Sequence, residues 1–205
     1  ISENRKKVKA ILQQYKPKNK DIYTDYKGIG LQYEDEENPL YDVVDSVAFI
    51  RPGKTPQIRR KLGAGYLKKN EIGEQFKLFF EYFNEVLYLI RGRILVSEPG
   101  NVIDEHTDGK CSATLHYVIQ TNPLAKMILE KKEYHIPSDG HFYLMNASRS
   151  HYIRNDSHED RIHITFPVNP ACFKVFSRNQ LAKMEKFFQQ FNLKVSNYPH
   201  LKISE

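Results

Sequence analysis

The segment Glu105-His106-Thr107-Asp108-Gly109-Lys110 places an imidazole and a carboxylate two residues apart. Alternate residues of an extended chain share a face, so His106 and Asp108 can project together and grip one metal ion. They would form two legs of a two-His-one-carboxylate facial triad, which leaves three adjacent positions open on a non-haem iron(II). A chelating oxoacid can fill two of these positions and dioxygen the third. Alone, the pair is a weak signal that arises by chance in many proteins, and it also fits a turn with Asp108-Gly109 at its corner and His106 on the surface.

A second histidine must come from a distant strand lying beside the first. His151 meets that requirement within the β-like run SHYIRN. A cation deep in the site must then hold the far carboxylate of the oxoacid. Arg161 opens the next run, RIHITFPV, and offers a planar fork that matches a carboxylate. The intervening NDSHED predicts a hairpin between the two runs. A surface ion pair is the competing account of Arg161. Pro99-Gly100, just before the metal segment, supplies a turn that brings the chain in.

These residues need a scaffold. From Arg93 to Val168 the sequence alternates short apolar runs with turn residues. The predicted strands are 93–97, 112–119, 125–129, 141–145, 151–154 and 161–168. Short strands at near-regular spacing predict a sandwich or barrel. Helices should buttress it. An amphipathic helix is expected over 2–15, with Val8, Ile11 and Leu12 on one face. A longer one is expected over about 70–90, where Phe76, Phe79, Phe80, Phe83, Leu87 and Ile90 recur at helical spacing. That aromatic stripe suits a core-facing surface better than a cofactor site. A last helix is expected over about 178–191. Residues 41–50 suggest one or two strands, and 34–37 and 51–56 exposed loops.

Residues 93–168 resemble the aspartyl/asparaginyl β-hydroxylase family of iron(II)/2-oxoglutarate oxygenases. The resemblance is carried by RILVSEPGNVIDEHTDG, TLHYVIQTNP and GHFYLMNASRSHYIRNDSHEDRIHITFPV, in that order. A Pro-Gly precedes the His-x-Asp pair, a Leu-His strand follows, and a distal histidine, an asparagine (Asn155) and an Arg-Ile-His strand come last. The resemblance implies a mainly β fold, a double-stranded β-helix (jelly-roll, cupin-like) core buttressed by α-helices. It implies iron(II) held by His106, Asp108 and His151, and 2-oxoglutarate held by Arg161 with His116 nearby. Thr114, beside His116, belongs to the expected cosubstrate pocket, and His163, on the face of Arg161, either lines that pocket or is a packed histidine. One departure stands out: the family carries an arginine at the position of Thr114. Lys110 and Arg149 are the candidate replacements. The implied reaction uses dioxygen to hydroxylate an amino-acid side chain, free or in a peptide, releasing succinate and carbon dioxide.

The 205 residues suit one domain, with the β-core at about 93–168 and helical flanks at 1–92 and 169–205. Two cysteines, Cys111 and Cys172, make no disulfide framework and point to a reducing compartment, with a cytoplasmic location as the default. No apolar run approaches the roughly 20 residues that span a bilayer, so no membrane partner is expected. The formal net charge of +6 suits an anionic ligand, or simple solubility. Arg51, Lys54, Arg59, Arg60 and Lys61 form a basic stretch that fits a lid, a polyanion contact or a solvated loop. A nucleic-acid module is disfavoured, because no zinc finger, P-loop or RNA-recognition signature is present. A cupin-type metalloenzyme working without 2-oxoglutarate would more commonly carry His-x-His than His-x-Asp. His158 should lie exposed in its turn, and His135, His141 and His200 have no ligand-like spacing. The sequence is silent on oligomeric state.

Overall fold

A computed structural model describes residues 2–19, 26–33, 36–41, 68–83, 89–108, 113–147 and 149–168. Several expectations fall outside these residues: most of 41–50, the 51–56 loop with its basic stretch, the 178–191 helix, Lys110, both cysteines and His200. The elements are α1 (Ser2–Gln14), β1 (Lys18–Asn19), β2 (Tyr26–Gly30), β3 (Gln32–Tyr33), β4 (Lys68–Lys69), α2 (Glu71–Glu74) and α3 (Lys77–Phe83). Then come β5 (Arg93–Ser97), β6 (Val102–His106), β7 (Ala113–Gln120), β8 (Ala125–Leu129), β9 (Lys132–Tyr134), β10 (Phe142–Met145), β11 (His151–Asn155) and β12 (Arg161–Val168).

The strands form a six-stranded sheet, β1-β2-β5-β12-β7-β10, a four-stranded sheet, β6-β11-β8-β9, and a small pair, β3-β4. All pairings are antiparallel. From β5 to β12 the chain passes repeatedly between the two large sheets. That is the arrangement of a double-stranded β-helix.

Period-two alternation assigns the faces of the six-stranded sheet. Ile94 and Val96 of β5, Leu115, Tyr117 and Ile119 of β7, and Ile162, Ile164 and Phe166 of β12 point outward. There they pack against Val8 and Ile11 of α1 and against Ile72, Phe76, Phe79 and Phe83. Phe79 meets Tyr117 and Phe142 with ring centroids 4.8 and 5.0 Å apart. The helices therefore cover one face of one sheet. A smaller apolar cluster of Ile103, Met127, Met145, Ala147 and Ile153, with Leu95 against it, lies between the sheets.

Three expectations change. Over the described residues 70–83, the helix expected over 70–90 is two short helices, with Gln75 and Phe76 between them. Asn70 caps the first: its Oδ1 accepts from the N–H of Ile72 and Gly73, while its Nδ2 donates to the carbonyls of Gly30 and Pro39. The helix is thus fastened to the edge of β2. Gly73 comes so close to that chain that a Cβ would sit 2.0 Å from the Leu31 carbonyl oxygen. Secondly, β-structure before residue 93 is not confined to the strands expected over 41–50. The flank contributes β2, paired with β5 from Tyr26↔Ser97 to Gly30↔Arg93.

Thirdly, β11 and β12 are not a hairpin. β11 pairs with β6 and β8 in one sheet, and β12 pairs with β5 and β7 in the other. Residues 156–160 are a crossover between sheets, and Asn155 explains it. Fully buried, its Nδ2 donates to Ser97 O and Glu159 O, each at 2.8 Å, and its Oδ1 accepts from Ser157 Oγ at 2.6 Å. Its backbone N–H donates to Asn101 O, and its carbonyl accepts from the Gly100 N–H. One residue thereby fastens the β5–β6 and β11–β12 crossings together. Gly100 makes the first of these turns at φ +81°, a conformation that favours glycine.

Candidate metal centre

His106 ends β6, and His151 begins β11 directly across from it. The ring centroids are 4.4 Å apart. Asp108 lies beyond the strand rather than on its alternating face. A hydrogen bond from its N–H to Ala147 O, 2.8 Å long, turns the chain so that the carboxylate returns to the histidines. Ligand atoms of His106, Asp108 and His151 all lie within 4.8 Å of one another.

Both imidazoles are oriented by main-chain carbonyls two residues upstream. His106 Nδ1 bonds Asp104 O at 2.6 Å, and His151 Nδ1 bonds Arg149 O at 2.9 Å. A carbonyl only accepts, so each Nδ1 carries the hydrogen and each Nε2 keeps its lone pair for a metal. His106 Nε2 is 3.5 Å from Asp108 Oδ1, and Thr114 Oγ1 donates to Asp108 Oδ2 at 3.5 Å. Burial pushes the Asp108 carboxyl up. When the rings are protonated, the hydrogen bond from His106 and the charges of His151 and His106, with that of Arg93, outweigh this and hold it below the usual carboxylate range. Burial pushes the His151 imidazole down, against the Arg149 carbonyl that favours its protonation. Both shifts favour the metal-binding protonation states.

The facing sheet supplies the polar half. Arg161, His163 and Thr165 of β12 point inward, as do Thr114, His116 and Val118 of β7. Arg161 Nη2 donates to His163 Nδ1 at 3.1 Å, and His116 Nδ1 lies 3.3 Å from that same nitrogen. Because Arg161 can only donate, His163 Nδ1 is the acceptor and His116 Nδ1 carries the hydrogen. His163 therefore presents an Nε2–H, and His116 an Nε2 lone pair. Neither Nε2 has a hydrogen-bond partner among the described residues. Burial, then the Arg161 charge, pushes His116 down to about 3 and His163 well below its ordinary value, so both are neutral. Burial pushes Arg161 itself down to about 9. Further unpaired buried atoms on this face, among the described residues, are Ser97 Oγ, Thr165 Oγ1, and Arg93 Nε and Nη1.

Apart from the His116 lone pair, this wall of donors around a buried guanidinium suits a small dianion. Two imidazoles and a carboxylate suit iron(II). The residues present thus fit both an iron(II) ion and an oxoacid.

The structure brings His106, Asp108 and His151 together. On the opposite wall it gathers Arg161, His163, His116 and Thr114. It does not bring in Arg149, whose guanidinium is exposed and paired with Glu130 at 3.3 Å. That residue serves the site through its carbonyl instead. His158, His135 and His141 are exposed. The sequence reading passed over Arg93, although it alternates with Leu95 and Ser97 along β5. It also missed the two carbonyls behind the ligands, which leave no side-chain signal.

A double-stranded β-helix with a two-His-one-carboxylate triad between its sheets has the iron(II)-binding site typical of 2-oxoglutarate-dependent dioxygenases. Residues 79–170 match the family model described as aspartyl/asparaginyl beta-hydroxylase. No curated protein matches the chain. Among solved structures, a predicted oxalate decarboxylase from Thermotoga maritima is 15% identical, with 43% of this chain and 71% of that one covered, at a TM-score of 0.33. The cupin domain of a transcriptional regulator from Enterobacter cloacae is 16% identical, covering 38% and 80%, at 0.34. The cupin domain of Schizosaccharomyces pombe Cnp3 is 8% identical, covering 53% and 64%, at 0.35. Among the described residues no helix is long and apolar enough to cross a membrane.

Proposed function

We propose that this protein hydroxylates an unactivated C–H bond of an amino-acid side chain, free or in a peptide, using iron(II), 2-oxoglutarate and dioxygen. Succinate and carbon dioxide are the coproducts. The observation that carries this reading is the convergence of three ligand atoms within 4.8 Å, facing a wall that holds the buried Arg161. Iron(II), when bound, supplies the redox chemistry that oxidises the C–H bond.

The residues have distinct tasks. His106 Nε2, His151 Nε2 and a carboxylate oxygen of Asp108 hold the ion. Asp104 O and Arg149 O fix the rings, and Thr114 Oγ1 steadies the carboxylate. Arg161 takes the distal carboxylate of 2-oxoglutarate, assisted by the Nε2–H of His163. His116 holds His163 in the tautomer that accepts from Arg161. Leu95, Ile103, Met127, Met145 and Ile153 keep the space between the sheets apolar and limit water there. We take residues 1–205 as a single domain working in the cytoplasm on an amino acid or peptide, without membrane or nucleic acid.

A succinate-release screen with iron(II), ascorbate and 2-oxoglutarate against free amino acids and a peptide library tests this. Succinate formation that depends on both iron and one class of substrate is expected. No succinate with any substrate, and no binding of 2-oxoglutarate by the metal-loaded protein, would overturn it. Arg161→Ala should raise the 2-oxoglutarate concentration needed for half-maximal turnover at least tenfold. An unchanged requirement removes Arg161 from its role.

A further inference from the structure

Arg93 lies at the metal end of the inner wall. The register sets out one row across the six-stranded sheet: Gly30, Arg93, Thr165, His116 and Tyr143. The neighbouring row holds Thr114, whose hydroxyl reaches Asp108. Arg161 is paired with Ser97 at the far end of β5. Thr165 stands four positions further along β12, about 13 Å on an extended strand. The wall therefore carries two arginines at opposite ends.

The guanidinium of Arg93 is poorly met. Its Nε and Nη1 are buried and have no hydrogen-bond partner among the described residues. Thr165 Oγ1, beside it in the row, is unpaired in the same sense. Ile29 faces the outer core, so Gly28 and Gly30 face the inner side, and β2 brings no side chain to this flank of Arg93. A planar cation with two buried, open N–H groups and an adjacent hydroxyl is a built receptor for a carboxylate. Its charge already reaches the ligands' end of the cavity, where it helps lower the pKa values of Asp108 and His116.

We propose that Arg93, with Thr165, binds the carboxylate at the keto-acid end of 2-oxoglutarate, next to the metal, while Arg161 holds the distal one. This rests on the proposed function and names a second cation for the same cosubstrate. Thr114 gives the metal end a hydroxyl but no charge; Arg93 supplies the charge from two strands away.

The test is calorimetric binding to the Mn(II)-loaded, non-turning-over protein under anaerobic conditions. The probes are 2-oxoglutarate and 2-oxopentanoate, which lacks the distal carboxylate. Arg93→Gln should weaken both at least tenfold, and Arg93→Lys should recover part of the loss. Arg161→Gln should weaken 2-oxoglutarate but leave 2-oxopentanoate within about twofold. Mn(II) affinity and the ligand-free thermal midpoint of Arg93→Gln should match wild type, showing that the fold and triad are intact. Unchanged binding of 2-oxopentanoate by Arg93→Gln overturns the assignment, whether or not 2-oxoglutarate weakens. Wild-type protein that binds Mn(II) but neither probe would overturn the cosubstrate reading itself, a separate result.

Discussion

Asn155→Ala removes the side chain that fastens the two sheet crossings. The amide makes four hydrogen bonds: to Ser97 O and Glu159 O at 2.8 Å, and from Ser157 Oγ at 2.6 Å and Ser157 N at 3.3 Å. Asn155 is 0% exposed and Ser157 and Ser97 are 4% and 3% exposed, so water does not readily replace what is lost. At about 1 kcal/mol for each bond, and somewhat more where a buried group is left unsatisfied, the expected loss is roughly 3–5 kcal/mol. For a chain of this size each kcal/mol shifts Tm by about 2–4 °C, so a fall of about 10 °C should appear in a thermal scan. Asn155→Asp keeps the acceptor but replaces the doubly donating Nδ2 with one oxygen that faces the Ser97 and Glu159 carbonyls, and should be at least as damaging. His158→Ala, an exposed change in the same crossover, is the control and should stay within about 0.5 kcal/mol. Urea denaturation of the metal-free proteins gives the difference directly. An Asn155→Ala loss below about 1 kcal/mol would refute the clamp and leave the crossover held by its backbone alone.

Other outcomes follow from the same geometry. His106→Ala and Asp108→Ala should each abolish iron-dependent succinate release, with Tm of the metal-free protein within a few degrees of wild type; full activity in either would sink the ligand assignment. The depressed folded-state pKa values of His116, His163 and His151 mean that the unfolded chain binds more protons between about pH 6.5 and the folded values. Stability is then fully present above pH 6.5 and falls as pH drops toward 3, by up to about 1.4 kcal/mol per pH unit for each histidine. Urea midpoints at pH 7.5 and pH 5 check this, and His116→Gln should flatten the dependence. Gly92→Ala would put a Cβ 2.4 Å from Cε1 of the fully buried Phe166, and should cost about 1–3 kcal/mol by the same urea assay.

The sequence made the chemistry more legible than the wiring. β5, β8 and β12 have the expected bounds because apolar alternation and flanking turn residues mark them. Tyr26–Gly30 carries two glycines and no such alternation, so its place beside β5 is visible only in three dimensions. NDSHED contains turn-forming residues, which suit a crossover as well as a hairpin. What decides is a buried Asn155 reaching Ser97 O, a contact between positions far apart in the chain. The break after Glu74 is likewise tertiary, since the spacing of Phe76, Phe79 and Phe83 does not reveal the approach of Gly73 to Leu31. At the site, His106, Asp108, His151 and Arg161 declare themselves by type. Arg93 does not, because an arginine opening a strand looks like any surface cation until its row is known.

The alternation along β5, β7 and β12 has an evolutionary consequence. Ile94, Val96, Leu115, Tyr117, Ile119, Ile162, Ile164 and Phe166 serve the helix-covered core, while Arg93, Ser97, Thr114, His116, Arg161, His163 and Thr165 face the chemistry. Even and odd positions of one strand answer to different selective pressures. A lineage can rewrite the inward set, moving a cation from one strand to another, while the outward set keeps the barrel standing. Ligand specificity can drift here in steps of two residues, with the neighbours on either side held still.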